Sequence, residues 1–191
     1  MGDFRQKTGK GRRESVNKLY TKTLLYAYPK LTKIVAEIDD VIDRILLTSM
    51  ENYKPCIDLC EKIMAYKLQK QKIIEIKKMV ERALSKLNAK QMDFLDYKYF
   101  RLKPRSYHAE YDRTSRAYFR QQIEVIKKIG ERFETVGINS DFFEKECLSI
   151  RLFSILLGLV IENEKKCRKN KTELEKRTKK KAILTTQKKS A

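Results

Sequence analysis

Between Leu31 and Leu46 the apolar residues fall at 31, 34, 35, 38, 41, 42, 45 and 46. The pattern advances by three- and four-residue steps. Such steps return to one side of an α-helix, whereas a half-buried strand would place an apolar residue at every second position. The pattern resumes after the polar stretch ENYKP, residues 51–55, with Ile73, Ile76, Val80, Ala83 and Leu87 at near-heptad spacing. Two long amphipathic helices joined by so short a turn most simply fold back on each other as an antiparallel hairpin. Six glycines and three prolines in 191 residues leave few places to turn. The expected fold class is therefore all-α: a long helical hairpin, then shorter helices.

Residues 1–14 are polar, basic and glycine-containing, and read as a disordered arm. The hairpin is expected over 15–87, with Pro29 breaking or restarting its first helix after Ala27. Asn88 resets the pattern as the cap of a helix at 89–100, with Met92, Leu95 and Tyr99 on one face. The segment RLKPRSYHAEYDRT reads as a loop around one short helix near 106–111. Ser115 is placed to cap a helix reaching Phe133 or Glu134, followed by a turn at Gly137. Residues 138–164 contain a hydrophobic helix from Ser140 through Ile161, expected to pack on the domain or to form a homodimer interface through 140–161. Residues 165–191 read as a disordered basic tail.

Lys plus Arg number 44 against 25 Asp plus Glu, a net charge of +19. The surplus is concentrated in the two ends and in residues 97–130, which hold nine basic and three acidic side chains. The stretch 31–96 is nearly neutral and 131–164 is acidic. Such a distribution makes polyanions the default partners. The longest apolar run, LFSILLGLVI at 152–161, is about half of the ~20 residues a bilayer span requires, so no membrane partner is expected. MGDFRQKTGKGRRESV has no apolar run of the kind found in secretory signals. The four cysteines, Cys56, Cys60, Cys147 and Cys167, show no disulfide framework, which fits a reducing cytoplasm.

Little in the chain suggests catalysis. His108 is the sole histidine, and no phosphate loop, GxSxG or HExxH is present. Asp39 and Asp43 share a helix face, but such pairs are ordinarily a solvated surface. Cys56 and Cys60 with His108 and Cys147 make a poor zinc set, since structural zinc usually takes ligands in tight pairs. No catalytic residue, metal site or cofactor is expected, and the chain does not read as an enzyme.

The segment YKYFRLKPRSYHAEYDRTSRAYFRQQIEVIKKIG, 97–130, carries the functional signal. A recognition helix enters the major groove with its early side chains at the base edges, while its other face packs on preceding helices. Arg bonds guanine in bidentate fashion, and Gln bonds adenine likewise. On the helix beginning at Ser115, the expected outward residues are Arg116, Arg120 and Gln121, with Phe119, Ile123, Ile126 and Ile129 inward. Lys98, Arg101, Lys103, Arg105 and Arg113 around it suit phosphate contacts.

The strings LSKLNAKQMDFLDYKYF and TSRAYFRQQIEVIKKIG resemble the region-4 helix-turn-helix of sigma-70 factors. With the preceding hairpin and the run Arg113–Thr114–Ser115–Arg116–Ala117–Tyr118–Phe119–Arg120, they are closer still to phage and prophage transcriptional regulators of the ArpU type. The resemblance covers Leu84–Gly137 and, more loosely, the hairpin. It implies a non-enzymatic, sequence-specific, nucleoid-associated regulator with a helix-turn-helix over 88–137. By carry-over, Ser115, Arg116, Tyr118, Arg120 and Gln121 face double-stranded DNA or cap the reading helix. Contact with RNA polymerase is left open. The alternative is an RNA-binding, nucleic-acid-packaging or oligomerising adaptor, with which ten tyrosines and two basic ends are equally compatible.

Overall fold

The computed structural model describes residues 4–51, 56–101 and 116–167, with the side chains of 17–48, 57–101 and 116–167. These residues are helical with no strand among them. Helix α1 is Phe4–Glu51, α2 is Cys56–Leu84 and α3 is Ala89–Leu95, which runs into a π-helical turn at Asp96–Phe100. Helix α4 is Arg116–Thr135, α5 is the single turn Ser140–Phe142 followed by a π-turn at Phe143–Cys147, and α6 covers 151–167.

The first two helices pair antiparallel. Tyr28 donates to Glu81 at 3.5 Å, and eleven residues along α1 Asp39 receives Lys70, eleven residues back along α2, at 2.6 and 2.7 Å. The constant register means the helices keep facing each other over about three turns. Between these pairs Leu31 and Ile38 meet the level of Ile73, Ile76 and Val80, all buried, and Ile42 is buried about one turn beyond Asp39. Asp39, weighed above as half of a carboxylate pair, is thus held by a cross-helix lysine.

Two expectations about α1 are corrected. Pro29 does not break the helix, which runs through it. The ring is exposed, so it meets solvent rather than a neighbour, and the cost is the bond it cannot donate to the carbonyl four residues back. Packing on both sides of Pro29, at Leu24, Leu25, Ala27 and Leu31, holds the helical path. Residues 4–14, expected as a disordered arm, continue the helical backbone. Residues 168–191 of the expected tail lie outside the described residues, as does the loop at 102–115.

A second layer covers α1 from Asn17 to Leu31. Thr21, Lys22, Thr23, Leu24, Leu25 and Ala27 are buried in near succession, so this part of the helix is enclosed on all sides. Phe94 and Leu95 of α3, Ile129 and Phe133 of α4, and Phe143 and Phe153 of the last elements complete the core. Aromatic pairs join the layers: Tyr20 stacks on Phe143 at 4.2 Å, Tyr26 meets Tyr99 at 4.8 Å and Tyr28 meets Phe100 at 5.1 Å. Polar contacts pin the acidic segment to α1 and α2. Tyr20 donates to Glu144 at 2.7 Å, Ser140 donates to Asn17 at 2.7 Å, and Lys72 pairs with Glu146 at 2.8 Å. Lys22, nearly buried, pairs with Glu164 and so fastens α6 to α1.

The boundaries follow local chemistry. Asn88 forms the expected cap as a full capping box: Gln91 N–H donates to Asn88 Oδ1 at 2.8 Å, and Asn88 N–H donates to Gln91 Oε1 at 3.3 Å. Helix α4 ends in a Schellman motif. Ile138 N–H reaches back to the Phe133 carbonyl at 2.7 Å, and Gly137 N–H to that of Glu134 at 3.1 Å. Gly137 supplies the left-handed residue at φ +93, which a side chain would strain, and Ile138 and Phe133 are both buried beside it. The hydrophobic helix expected from Ser140 through Ile161 is interrupted at 148–150 and resumes as α6. Phe143, Cys147, Ile150, Phe153 and Val160 are spent on the chain's own fold, which leaves Ile155 and Leu159 exposed on the segment expected to form a homodimer interface.

Candidate nucleic-acid interface

Helix α4 presents two different faces. At about 100° per residue, Tyr118, Gln122, Val125, Ile126, Ile129 and Phe133 share one side, while Arg116, Phe119, Arg120, Ile123 and Lys127 share the other. The first set is the anchor. Tyr118, Val125, Ile126, Ile129 and Phe133 are buried, and Gln122 donates to the Tyr99 hydroxyl at 3.4 Å. The second set is solvent-facing in every member. Among the described residues no carboxylate pairs with Arg116, Arg120 or Lys127.

The fit is tight where α4 crosses α1. A Cβ on Gly130 would stand 3.2 Å from Thr21 Oγ1, so the absent side chain lets the two helices approach. This crossing, with the Schellman end, fixes the helix rigidly from Ile126 to Ile138. Its first three turns then project the basic face from a fixed base.

The sequence-based assignment of faces is half right. Ile126 and Ile129 face inward as expected, and Arg116 and Arg120 face outward. Tyr118, expected to face DNA, is instead buried, while Phe119 and Ile123, expected inward, are 51% and 58% exposed. The reason is local. Two apolar lines share Ile126 and Ile129 and diverge toward the N-terminus, one through Gln122 to Tyr118, the other through Ile123 to Phe119. Phe94 and Tyr99 of the preceding element select the first, since Tyr118 packs on Phe94 at 5.6 Å and Gln122 finds the Tyr99 hydroxyl. Val125 and Phe133, both buried, were missed; their spacing from Ile129 was the signal.

The remaining candidates are scattered. Gln121 is half-buried at the flank of the basic face. Arg101 is exposed in a left-handed conformation, φ 54, where its N–H closes the π-turn on the Asp96 carbonyl. Lys98 lies 5.3 Å from the Tyr118 ring centroid, so it serves a cation–π contact rather than standing free for phosphate. Lys103, Arg105, Arg113 and Ser115 lie outside the described residues, and with them the expected short middle helix. Cys60 is exposed on α2 while Cys147 is buried in the core, which sets these two members of the weighed zinc set in different environments. Burial pushes the Cys147 thiol up to about 12, with Glu146 adding to the effect.

Sequence reasoning also missed a second basic surface. An open groove of about 460 Å³ lies between the start of α3 and the second half of α4, lined by Lys86, Asn88, Gln91, Lys128 and Arg132 among others. The Nη1 atom of Arg132 is buried there with no hydrogen-bond partner among the described residues. Lys86 of the turn after α2 and Lys128 and Arg132 of α4 outnumber the one carboxylate there, Glu131, and such a surplus suits a phosphodiester backbone. Their separation in sequence, at 86, 128 and 132, hid them.

Comparison with protein-family models, curated proteins and solved structures finds no match to this chain. No helix among the described residues is long and apolar enough to cross a membrane.

Proposed function

We propose that the chain is a DNA-binding transcriptional regulator that sets the N-terminal turns of α4 into the major groove. One observation carries this reading: Arg116 and Arg120 stand on the solvent face of a helix whose opposite face is locked into the core. The division of labour is the one a recognition helix requires, with early residues at the base edges and later ones as anchor. Lys127 and the exposed groove cations Lys86 and Lys128 are available for phosphates, whose contacts set orientation without reading sequence. The basic ends add affinity common to all sequences.

A second reading is favoured by Phe119. An aromatic ring exposed between two arginines is a stacking platform for unpaired bases, as in single-strand binders. One experiment separates the two. Selection from a random duplex library is followed by salt titrations on the selected duplex, random duplex and single-stranded RNA. On the DNA reading a motif is enriched, and Arg120→Ala weakens it by about 1–3 kcal/mol while leaving random-duplex affinity nearly unchanged. No enriched motif, with a loss on single strands in Phe119→Ala, would replace it with the stacking reading.

A further inference from the structure

The groove between the start of α3 and the second half of α4 holds more hydrogen-bond donors than the fold employs. Asn88 and Gln91 line it, and their capping box uses the side-chain oxygen of each as the acceptor. What remains on each side chain is an amide NH2, which only donates. Lys86 and Lys128 line it as well, both exposed, and Arg132 is half-buried with its Nη1 enclosed and unbonded. Among the described residues none of these three cations has a carboxylate within ion-pair distance, Glu131 of the same groove included. A buried guanidinium nitrogen with no acceptor is a cost that the fold alone does not explain. The donors come from two sides: Lys86, Asn88 and Gln91 from the turn after α2 and the start of α3, Lys128 and Arg132 from α4.

We infer that the groove binds a phosphoryl group, with Arg132 at its base and Lys86 and Lys128 at its rim. Chemistry selects this ligand. It has to be an anion that accepts and does not donate, because cations outnumber the carboxylate there and the uncommitted amides add further donors. A carboxylate is planar and turns both oxygens to one side, so it serves one wall. A phosphoryl group sends three acceptor oxygens in tetrahedral directions and meets donors from both. The guanidinium fork matches it. Because Nη1 is enclosed, the Arg132 head swings toward the ligand on binding, which gives that nitrogen the acceptor it lacks. At about 460 Å³ the groove falls in the size range of ligand pockets, so it also has room for the group that bears the phosphoryl. The site is separate from the basic face of α4. Lys128 and Arg132 lie about a third of a turn round the helix from Arg116 and Arg120, and Arg132 is about 18 Å along the axis from Arg120. The site therefore stands whether or not α4 reads DNA. Its phosphoryl has two sources, a nucleic-acid backbone or a free phosphomonoester.

The test is an NMR titration of the full chain with inorganic phosphate at constant ionic strength, repeated with acetate and then with a random-sequence duplex. Phosphate should shift the amides of 86–91 and 128–135 to saturation, and acetate should not. Arg132→Gln should raise the phosphate dissociation constant at least about tenfold. Lys86→Gln, at an exposed position, should raise it by a smaller factor with the circular dichroism unchanged, and it decides the matter if Arg132→Gln loses its fold. Lys145→Gln removes the same charge from an exposed position that does not line the groove, and should leave phosphate affinity unaltered. A duplex that shifts the groove amides and displaces phosphate assigns the site to a nucleic-acid backbone. A duplex that leaves phosphate in place assigns it to a free phosphomonoester. Shifts that drift without saturating would overturn the inference, as would acetate acting as phosphate does, or Lys86→Gln losing no more affinity than Lys145→Gln. A failure of α4 to select a DNA motif would leave these titrations unchanged, so the two readings fail separately.

Discussion

One helix, α1, lives in two environments. From Asn17 to Leu31 it is enclosed by α4, α5, α6 and the aromatic turn after α3, and even Thr21, Lys22 and Thr23 are buried. From Thr32 to Thr48 the buried positions shrink to Ile38 and Ile42, and the polar contact across to α2 is that of Lys70 on Asp39. Both halves are helical, yet only the first has several partners for each turn. Helix formation here follows from spacing, but stability follows from the number of elements packed around the spacing. The enclosed half is the rigid base for α4, and the open half is an arm extending from it.

The largest expected effect tests that difference directly. Phe133→Ala empties a fully buried site beside α1 and should cost about 3–5 kcal/mol, read as a drop in the urea midpoint. Leu47→Ala, at an exposed position on the arm, should change stability by within about 0.5 kcal/mol. Native-state hydrogen exchange should rank the same way, with amides of 21–27 protected close to the global limit and those of 43–48 opening first. Equal costs for the two substitutions would mean that the arm is as enclosed as the base.

Much of this division is legible in the sequence. The three- and four-residue steps from Leu31 to Leu46 gave the hairpin, and Asn88 with Gln91 gave the capping box. What escaped was tertiary choice. Pro29 forbids a helix only as a local rule, and burial on both sides of it outweighs one missing hydrogen bond. Tyr118 and Phe119 are equivalent as sequence, and the ring of Phe94 decides between them. Lys128 and Arg132 are one turn apart on α4, but Lys86 comes from the turn after α2, so no spacing rule could bring it to them. The outward Arg116 and Arg120 were legible because both competing apolar lines leave them on the far side.

Two glycines sharpen the comparison at a smaller scale. Gly130 lies at the crossing with α1, where a larger side chain collides with Thr21. Gly130→Val should destabilise by about 1–3 kcal/mol through overpacking and, on the proposed function, should lower affinity for duplex DNA by displacing the base of α4. Gly158, in α6, has nothing within 4 Å of a built Cβ. Gly158→Ala should therefore stabilise by roughly 0.4–1 kcal/mol, since alanine loses less conformational freedom on folding. Thermal denaturation of the two variants decides it; destabilisation by Gly158→Ala would show an unrecognised contact on α6.

A modest effect at neutral pH is one that alkali reveals, and it too belongs to the enclosed half. Burial, followed by the hydrogen bond and charge of Glu144, pushes the Tyr20 phenol up from 10.0 to about 12. Tyr26, Tyr28 and Tyr99 are raised as well, burial being the first cause in each. Between pH 10 and about 12 the unfolded chain loses the Tyr20 proton while the folded chain keeps it. Unfolding then releases protons, so stability falls as pH rises through that window and is fully present below it. Tyr20→Phe keeps the ring on Phe143 but removes the phenol. It should cost about 0.5–1.5 kcal/mol at pH 7, and its stability curve should then converge on that of the wild type as pH climbs from 10 to 12. Curves that stay parallel across that range would mean that neither burial nor Glu144 raises the Tyr20 phenol in the folded chain.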